Sequence, residues 1–188
     1  MALTSQTFSR GVAALRARRQ TVTVVESTTG GLINAAIMAV PGSSAVYIGG
    51  SVAYNTRRCR KLLLDDAKLH DALLAGAAPT NGDSAADYFR ADWYMNSKWV
   101  WTSRTAVAFC DALQTDYAIA ESGAAGPSFR QADLKHGFTW LCVAGRTQGA
   151  GAMVINRRLI QSPHADREAN MRLFAEAAAQ LLCDTLAG

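Results

Sequence analysis

The chain has 188 residues, of which 49% are apolar and 18% are charged, and its formal net charge is +4. This balance excludes a disordered chain, and the length fits a single domain over residues 1–188 with a sizeable core. No apolar run approaches the roughly 20 residues that a membrane-spanning helix needs, so we expect no membrane partner.

The positive charges concentrate in two stretches, residues 10–19 and residues 57–61. Neither stretch carries a nucleic-acid-binding motif or interleaved aromatic residues, and two acids, Asp65 and Asp66, closely follow the second. A pocket for a small anionic substrate accounts for the same charges. We therefore predict a small-molecule partner and no nucleic acid.

The four cysteines are too widely spaced for a zinc site and are typical of reduced thiols in a cytoplasmic protein. The first 25 residues contain no acid, a property that mitochondrial presequences share, so a mitochondrial location stays open. The near-helical spacing of Phe8, Val12 and Leu15 favours instead the first amphipathic helix of the domain.

The first half of the chain alternates between predicted strands and helices. In chain order they are a strand at 21–25, a helix at 32–38, a strand at 46–54 and a helix at 60–74. Gly49 and Gly50 leave open whether residues 46–54 form one irregular strand or a strand pair.

Residues 79–101 differ in character and are predicted to be a Trp-rich insertion. Three of the four tryptophans, Trp93, Trp99 and Trp101, lie here. The segment is either a lid or oligomer contact, because Trp dominates interface energetics, or a hairpin that packs its rings on its own domain. A helix capped by Thr102 or Ser103 is predicted to follow.

The last third predicts three strands and a final helix. The strands lie at 117–120, 138–144 and 149–160, with a hairpin around Gly145, and the helix at 166–186. Alternating strands and helices followed by adjacent strands indicate an α/β fold with three α/β/α layers and a mixed β-sheet.

Two turns of small residues follow predicted buried strands, at 27–31 and at 122–127. The first opens a helix, so its backbone N–H groups could hold an anion or an oxyanion. Together the turns would frame a ligand crevice at one edge of the sheet. Each turn taken alone also fits a simple role as a helix cap or a tight turn.

Several motifs occur in a fixed order: Glu-Ser-Thr-Thr-Gly-Gly at 26–31, Val-Pro-Gly-Ser-Ser at 40–44, Gly-Gly-Ser-Val-Ala-Tyr-Asn at 49–55, Ser-Gly-Ala-Ala-Gly-Pro at 122–127, Lys-His-Gly at 135–137 and Asp-Arg at 166–167. In this order they resemble the CinA C-terminal domain family, the nicotinamide-nucleotide amidohydrolases also called PncC. The resemblance covers nearly the whole chain outside residues 79–101.

The resemblance implies a mixed-sheet α/β/α fold and hydrolysis of the carboxamide of nicotinamide mononucleotide to nicotinic acid mononucleotide and ammonia. It implies a serine nucleophile, activated by a lysine and assisted by a tyrosine, with no metal and no cofactor. Ser27 matches the nucleophile and Tyr54 the tyrosine. The implied substrate-binding residues are the turn residues Glu26, Thr28, Thr29, Gly30, Gly31, Ser122, Gly123 and Gly126, and two cations for the phosphate, Lys135 and Arg167. We also expect a homo-oligomer.

One departure from the family affects the catalytic lysine. The family follows its tyrosine with Ser-Asn-Glu-Ala-Lys, whereas this chain has Asn-Thr-Arg-Arg-Cys at 55–59. Cys59 thus stands at the lysine's position, and a thiol is a different base from an amine. Lys61 is a substitute base only if the segment is irregular, because two residues along a helix reach its opposite face. His136 and His164, beside family motifs, are further alternatives.

Two more departures leave the function open. Ser-Phe-Arg at 128–130 replaces the family's Gly-rich sequence and suggests that the substrate is a different amide or nucleotide. The change at Cys59 is also compatible with a catalytically silent family member that acts as a nucleotide-binding or assembly module.

Overall fold

The computed structural model describes residues 2–55, 59, 91–147 and 151–188. In this part of the chain four helices accompany five strands. The helices are α1 (Ala2–Arg18), α2 (Leu32–Met38), α3 (Ala91–Ala112) and α4 (Arg167–Ala187), and the strands are β1 (Val22–Glu26), β2 (Tyr47–Val52), β3 (Tyr117–Ala124), β4 (Phe138–Arg146) and β5 (Ala152–Gln161). The helix predicted at 60–74 lies outside the described residues.

The five strands form one sheet in the order β2-β1-β3-β4-β5. Strand β1 is parallel to both β2 and β3, whereas β3–β4 and β4–β5 are antiparallel. The predicted mixed sheet is confirmed. Because β1 and β3 are parallel neighbours, the turns that follow them emerge at the same edge.

Helices cover both faces of the sheet. Phe8 of α1, Ile33 of α2 and Leu182 of α4 share one core cluster with β-strand residues such as Ile119. On the other face, small residues of β3 and β4 pack against Ala106 and Cys110 of α3; they are Ala118, Ala120, Cys142 and Ala144. Among the described helices, none is long and apolar enough to cross a bilayer.

Strand β2 is one irregular strand rather than a pair. Its register with β1 shifts between Val22 and Thr23. A Cβ atom at Gly50 would lie 2.1 Å from Asn34 Oδ1 and 2.4 Å from the Val24 carbonyl oxygen. Only glycine therefore fits where α2, β1 and β2 meet.

The Trp-rich segment is helical in its described part, and two predictions about it are wrong. The helix starts at Ala91 rather than after a cap at Thr102 or Ser103, and residues 91–101 form no hairpin. The cap comes from elsewhere in the chain, since the Ala91 N–H donates to Asp133 Oδ1 at 3.0 Å. Residues 79–90 lie outside the described residues.

The aromatic rings of α3 pack on the sheet of their own domain. Trp101 is 3% exposed, and the Trp99 ring centroid lies 5.1 Å from that of Trp140 on β4. The Trp140 indole N–H donates to the Met95 carbonyl oxygen at 3.0 Å. These contacts fix α3 against β4.

Two buried glutamates lie in register on neighbouring strands, Glu26 at the end of β1 and Glu121 within β3. Glu121 Oε2 accepts hydrogen bonds from the backbone N–H groups of the next turn, those of Ser27, Thr28 and Thr29, at 3.1, 2.9 and 3.1 Å. Glu26 accepts from the N–H groups that open α2, Ile33 at 3.2 Å and Asn34 at 2.9 Å. The pair therefore fixes the turn between β1 and α2.

The two carboxyl groups meet at the Thr29 hydroxyl, which contacts both Glu26 Oε2 and Glu121 Oε2. The Thr29 hydroxyl can donate only one proton. Its second contact is therefore a hydrogen bond when one of the two carboxyl groups is protonated and donates to the hydroxyl oxygen. Burial raises the pKa of Glu121, although its hydrogen bonds from Thr139 and from the turn favour the charged form. The raised pKa favours a proton at this site.

Replacing Gly50 by alanine should destabilise the fold, because the added methyl group would overlap Asn34 and a β1 carbonyl oxygen. Overpacking of this kind costs about 1–3 kcal/mol. Urea denaturation should show that loss in Gly50→Ala. Ser51→Ala on the same strand, which adds no atoms, is the control, and equal losses in both variants would contradict the steric explanation.

Glu121→Gln should change how stability depends on pH. Folded Glu121 holds its proton to a higher pH than the unfolded chain, so the wild type loses unfolding free energy as the pH rises above the ordinary value of 4.5. Glutamine does not titrate and escapes this loss. Urea denaturation between pH 4.5 and 8 should show the stability of the variant, relative to wild type, rising with pH.

The exposed residue Glu168 on α4 supplies the control for this titration. Glu168 pairs with Arg172 at the surface, where ion pairs contribute little. Glu168→Gln should follow the wild-type pH dependence. A constant difference between Glu121→Gln and wild type over this range would show that Glu121 is already charged.

Candidate functional site

A cavity of about 310 Å³ opens where β1 and β3 end. Its volume lies at the lower end of the range of about 300–1,000 Å³ that small-molecule sites occupy. The residues that line it come from both turns, from the segments after β2 and β3, from α3 and from α4: Ser27, Thr28, Tyr54, Tyr94, Lys98, Gly123, Ala124, Ala125, Gly126, Ser128, Phe129, Arg130, Gln131 and Arg167. This cavity is the candidate site.

Ser27 is the first residue after β1 and lies in the cavity wall, where its side chain is 3% exposed. Its backbone N–H is bound to Glu121. The Ser27 hydroxyl lies on a turn that Glu121 holds in place, directly after a buried strand. It would therefore meet a bound ligand in one orientation.

Three backbone N–H groups of the first turn, at 27–29, are engaged by a carboxyl group, contrary to the expectation from the sequence. Those of Ser27, Thr28 and Thr29 donate to Glu121. The Gly123 N–H of the second turn donates to Thr28 Oγ1 at 2.7 Å. These four N–H groups are therefore engaged within the protein rather than free for a ligand.

Three cationic side chains supply positive charge to the cavity: Lys98, Arg130 and Arg167. No acidic residue is present among the described residues that line it. Arg167 also holds the site together, since it donates to the Gly126 carbonyl oxygen at 3.0 Å and to the Tyr54 hydroxyl at 3.3 Å. The electrostatics favour an anionic ligand.

Two tyrosines and a phenylalanine add aromatic surface to the cavity. Tyr54 is 67% exposed, whereas Tyr94 packs edge-on against Phe138 with the ring centroids 5.9 Å apart. Burial raises the pKa of Tyr94 more than the nearby Arg130 charge lowers it, so its hydroxyl stays protonated. Phe129 lies against Gly126, whose φ of +70° favours glycine.

Asn170 of α4 holds the second turn in place by hydrogen bonding. The buried Asn170 amide donates to the Ala125 carbonyl oxygen at 2.7 Å and to the His164 carbonyl oxygen at 3.1 Å, and accepts from Ser162 Oγ. This role could not be predicted from the sequence, because Asn170 belongs to no recognisable motif.

The structure brings together six of the residues that the sequence singled out: Ser27, Thr28, Tyr54, Gly123, Gly126 and Arg167 all line the cavity. Glu26, Thr29, Gly30, Gly31, Ser122, Lys135 and Cys59 do not line it. Lys61, the proposed substitute base, lies outside the described residues.

Several predicted site residues that do not line the cavity make contacts elsewhere in the structure. Glu26 is fully buried against the start of α2, and Ser122 Oγ is buried without a hydrogen-bond partner. Lys135 is exposed and donates to the Ala132 carbonyl oxygen at 2.7 Å. Cys59 is half-buried, with its N–H bound to the Asn55 carbonyl oxygen.

Sequence reasoning did not assign five polar residues to the site: Tyr94, Lys98, Ser128, Arg130 and Gln131. Arg130 could have been found, since it lies in the segment that departs from the family directly after the second turn. Lys98 could not, because nothing in its spacing links α3 to this edge of the sheet. Within the described ranges, no group of three His, Cys, Asp or Glu side chains could hold a metal ion.

Comparison with known proteins identifies relatives along most of the chain. A CinA-like protein from Synechococcus sp. (strain CC9902) is 33% identical over 130 residues, 68% of this chain and 25% of that protein. A CinA-like protein from Parasynechococcus marenigrum is 34% identical over 134 residues, 71% of this chain and 27% of that protein. The chain thus spans about a quarter of the length of these curated relatives.

Solved structures share the fold over nearly the whole chain. A competence-damaged protein (CinA) superfamily protein from Klebsiella pneumoniae has a TM-score of 0.72 and 25% identity, with 98% of both chains covered. The competence or damage-inducible protein from Enterobacter asburiae has a TM-score of 0.71 at 17% identity, covering 97% of this chain and 98% of that one.

The family model for the CinA C-terminal domain matches residues 5–78 and 100–186. The match leaves out residues 79–99, which include the first turns of α3, and takes in both turns of the site. The chain belongs to the CinA C-terminal domain family.

Proposed function

We propose that this chain is an amidohydrolase that converts nicotinamide mononucleotide to nicotinic acid mononucleotide and ammonia, with Ser27 as the nucleophile. The observation that carries the proposal is the placement of Ser27 in a cavity with three cations, Lys98, Arg130 and Arg167. A phosphate-bearing substrate fits that charge, and a fixed hydroxyl is the group that amide attack requires.

The substrate has two charged parts that the cavity can recognise. Its phosphate is an anion, for which the guanidinium groups of Arg130 and Arg167 offer paired donors. Its pyridinium ring is a cation, for which the faces of Tyr54, Tyr94 and Phe129 are suitable partners. The carboxamide would then lie toward Ser27.

The reaction would proceed in two steps. Ser27 Oγ attacks the carboxamide carbon and loses its proton, and ammonia leaves to give a nicotinoyl ester on Ser27. Water then hydrolyses the ester and returns the proton to Ser27. Because the amides at 27–29 are occupied, the developing oxyanion would be stabilised by donors on side chains, among them the Tyr54 hydroxyl.

A second candidate function is nucleotide binding without turnover. It is favoured by Cys59, which stands at the position of the family's lysine and does not line the cavity. In that case the same charges would bind the nucleotide, and Ser27 would act only as a hydrogen-bonding group.

Ser27→Ala should abolish ammonia release from nicotinamide mononucleotide while leaving nucleotide binding intact. The reason is that the hydroxyl forms the new bond, whereas the three cations bind the phosphate. Ammonia is measured by a coupled assay and binding by calorimetry. Ser51→Ala, outside the cavity, is the control with unchanged rate, and wild-type protein that binds the nucleotide but releases no ammonia would support the second candidate.

Arg130→Met should raise KM for nicotinamide mononucleotide by about 10-fold or more, because a charge-assisted hydrogen bond contributes about 1.5–3 kcal/mol. KM for nicotinamide riboside, which lacks the phosphate, should change little. Steady-state kinetics on both substrates measure the difference. Arg172→Met, on an exposed arginine paired with Glu168, is the control. Equal effects on both substrates would contradict a phosphate role.

A further inference from the structure

We propose that Glu26 and Glu121 hold one proton between them and that loss of this proton weakens the binding of anions in the cavity. The two carboxyl groups then act as a pH-sensitive device behind the turn that carries Ser27. The inference concerns anion binding alone, so it does not depend on whether the chain hydrolyses an amide.

One hydroxyl group joins the two carboxyl groups. Thr29 Oγ1 contacts Glu26 Oε2 and lies 3.0 Å from Glu121 Oε2, so the two carboxyl oxygens are within two hydrogen-bond lengths of each other. Both glutamates are fully buried. Two negative charges this close in a buried site repel each other strongly, and one proton removes that repulsion. The two groups therefore titrate as a pair.

The other hydrogen bonds of the pair stabilise one negative charge. Glu121 accepts from the three N–H groups at 27–29 and from the Thr139 hydroxyl. Glu26 accepts from the backbone N–H and the side-chain amide of Asn34. Donors of this kind favour an ionised carboxyl group. The pair therefore keeps one charge when it holds one proton.

Among the described residues, the groups that face the pair leave its proton as the variable charge. Tyr47 of β2 contacts Asn34, and burial together with the Glu26 charge raises the pKa of Tyr47 to about 12, so its hydroxyl stays protonated near neutral pH. Asn34 of α2 and Thr139 of β4 do not titrate. The Arg167 guanidinium of α4 donates instead to the second turn and to a tyrosine hydroxyl.

The pair lies directly behind the cavity wall. Ser27 and Thr28 line the cavity, and their backbone N–H groups donate to Glu121 at 3.1 and 2.9 Å. A charge on this carboxyl group is thus separated from a bound anion by the turn, and burial limits its screening by solvent. A second negative charge on the pair opposes the attraction of the cavity cations for the anion. The affinity for anions therefore falls as the pair loses its proton.

Carboxyl ¹³C NMR of the full chain tests the shared proton. The chain has four glutamates, Glu26, Glu121, Glu168 and Glu176, so labelling of glutamate Cδ gives four signals. Glu168→Gln and Glu176→Gln identify the two signals that lie outside the pair. We expect both signals of the pair to move together, at a midpoint above the ordinary pKa of 4.5. Two signals that move separately, at or below that value, would overturn the shared proton.

Sulfate is the probe for the cavity, because it stays doubly charged between pH 4.5 and 8.5. NMR titration at constant ionic strength should show the sulfate Kd of the wild type rising by about 10-fold as the pair loses its proton. Glu121→Gln and Glu26→Gln cannot acquire the second charge, so both should lack this rise and keep the wild-type Kd of low pH. Glu168→Gln should follow the wild type. The histidines titrate in all four proteins, so the comparison isolates the pair.

Linkage supplies a measurement that needs no variant in the pair. Because the proton and the anion favour each other, saturating sulfate should raise the midpoint of the pair's titration in the wild type by about one pH unit. An unchanged midpoint would overturn the coupling. The coupling would also be contradicted by a rise in Kd that both variants share with the wild type, by a higher Kd at every pH in both variants, or by a wild type that binds no sulfate. Ammonia release from nicotinamide mononucleotide bears only on the proposed function.

Discussion

The hydrogen bonds from the turn at 27–29 to Glu121 are the constraint on which the rest of the site depends. A carboxyl group buried in the sheet takes up the N–H groups that would otherwise face a ligand at the start of α2. The turn is thereby held in place, and the positive charges that line the cavity come from side chains of α3, α4 and the segment after β3. One buried acid thus sets the conformation of the turn that carries Ser27.

Local composition was enough to predict most of the sheet. The β-branched run of β1 is buried along its whole length, and the helix predicted from Asp166 begins with that residue as its cap, since Asp166 Oδ1 accepts from the Ala169 N–H at 2.7 Å. The start of α3 could not be predicted this way. Asp133, which accepts a hydrogen bond from the first N–H group of α3, lies 42 residues further along the chain. Thr102 is a residue type that often caps helices, but here it lies inside α3 and its hydroxyl donates to the Lys98 carbonyl oxygen.

The site shows the same division between local and distant information. Ser27, Tyr54 and Arg167 share a cavity because strand ends and a helix start meet at one edge, which ordered motifs could indicate. The hydrogen bonds from the N–H groups at 27–29 to Glu121 could not be predicted, since Glu121 lies 94 residues from Ser27 in sequence. Its local sequence indicates only that it belongs to a buried strand. Lys98 and Arg130 reach the cavity through tertiary packing, which the spacing of residues along the sequence does not predict.

The hydrogen bond between Ala91 and Asp133 has an evolutionary consequence. It joins the first turn of the Trp-rich helix to the segment that carries Arg130, so two walls of the cavity share one anchor. A lineage that lengthened or shortened residues 128–133 would also lose the anchor of α3 and move Lys98.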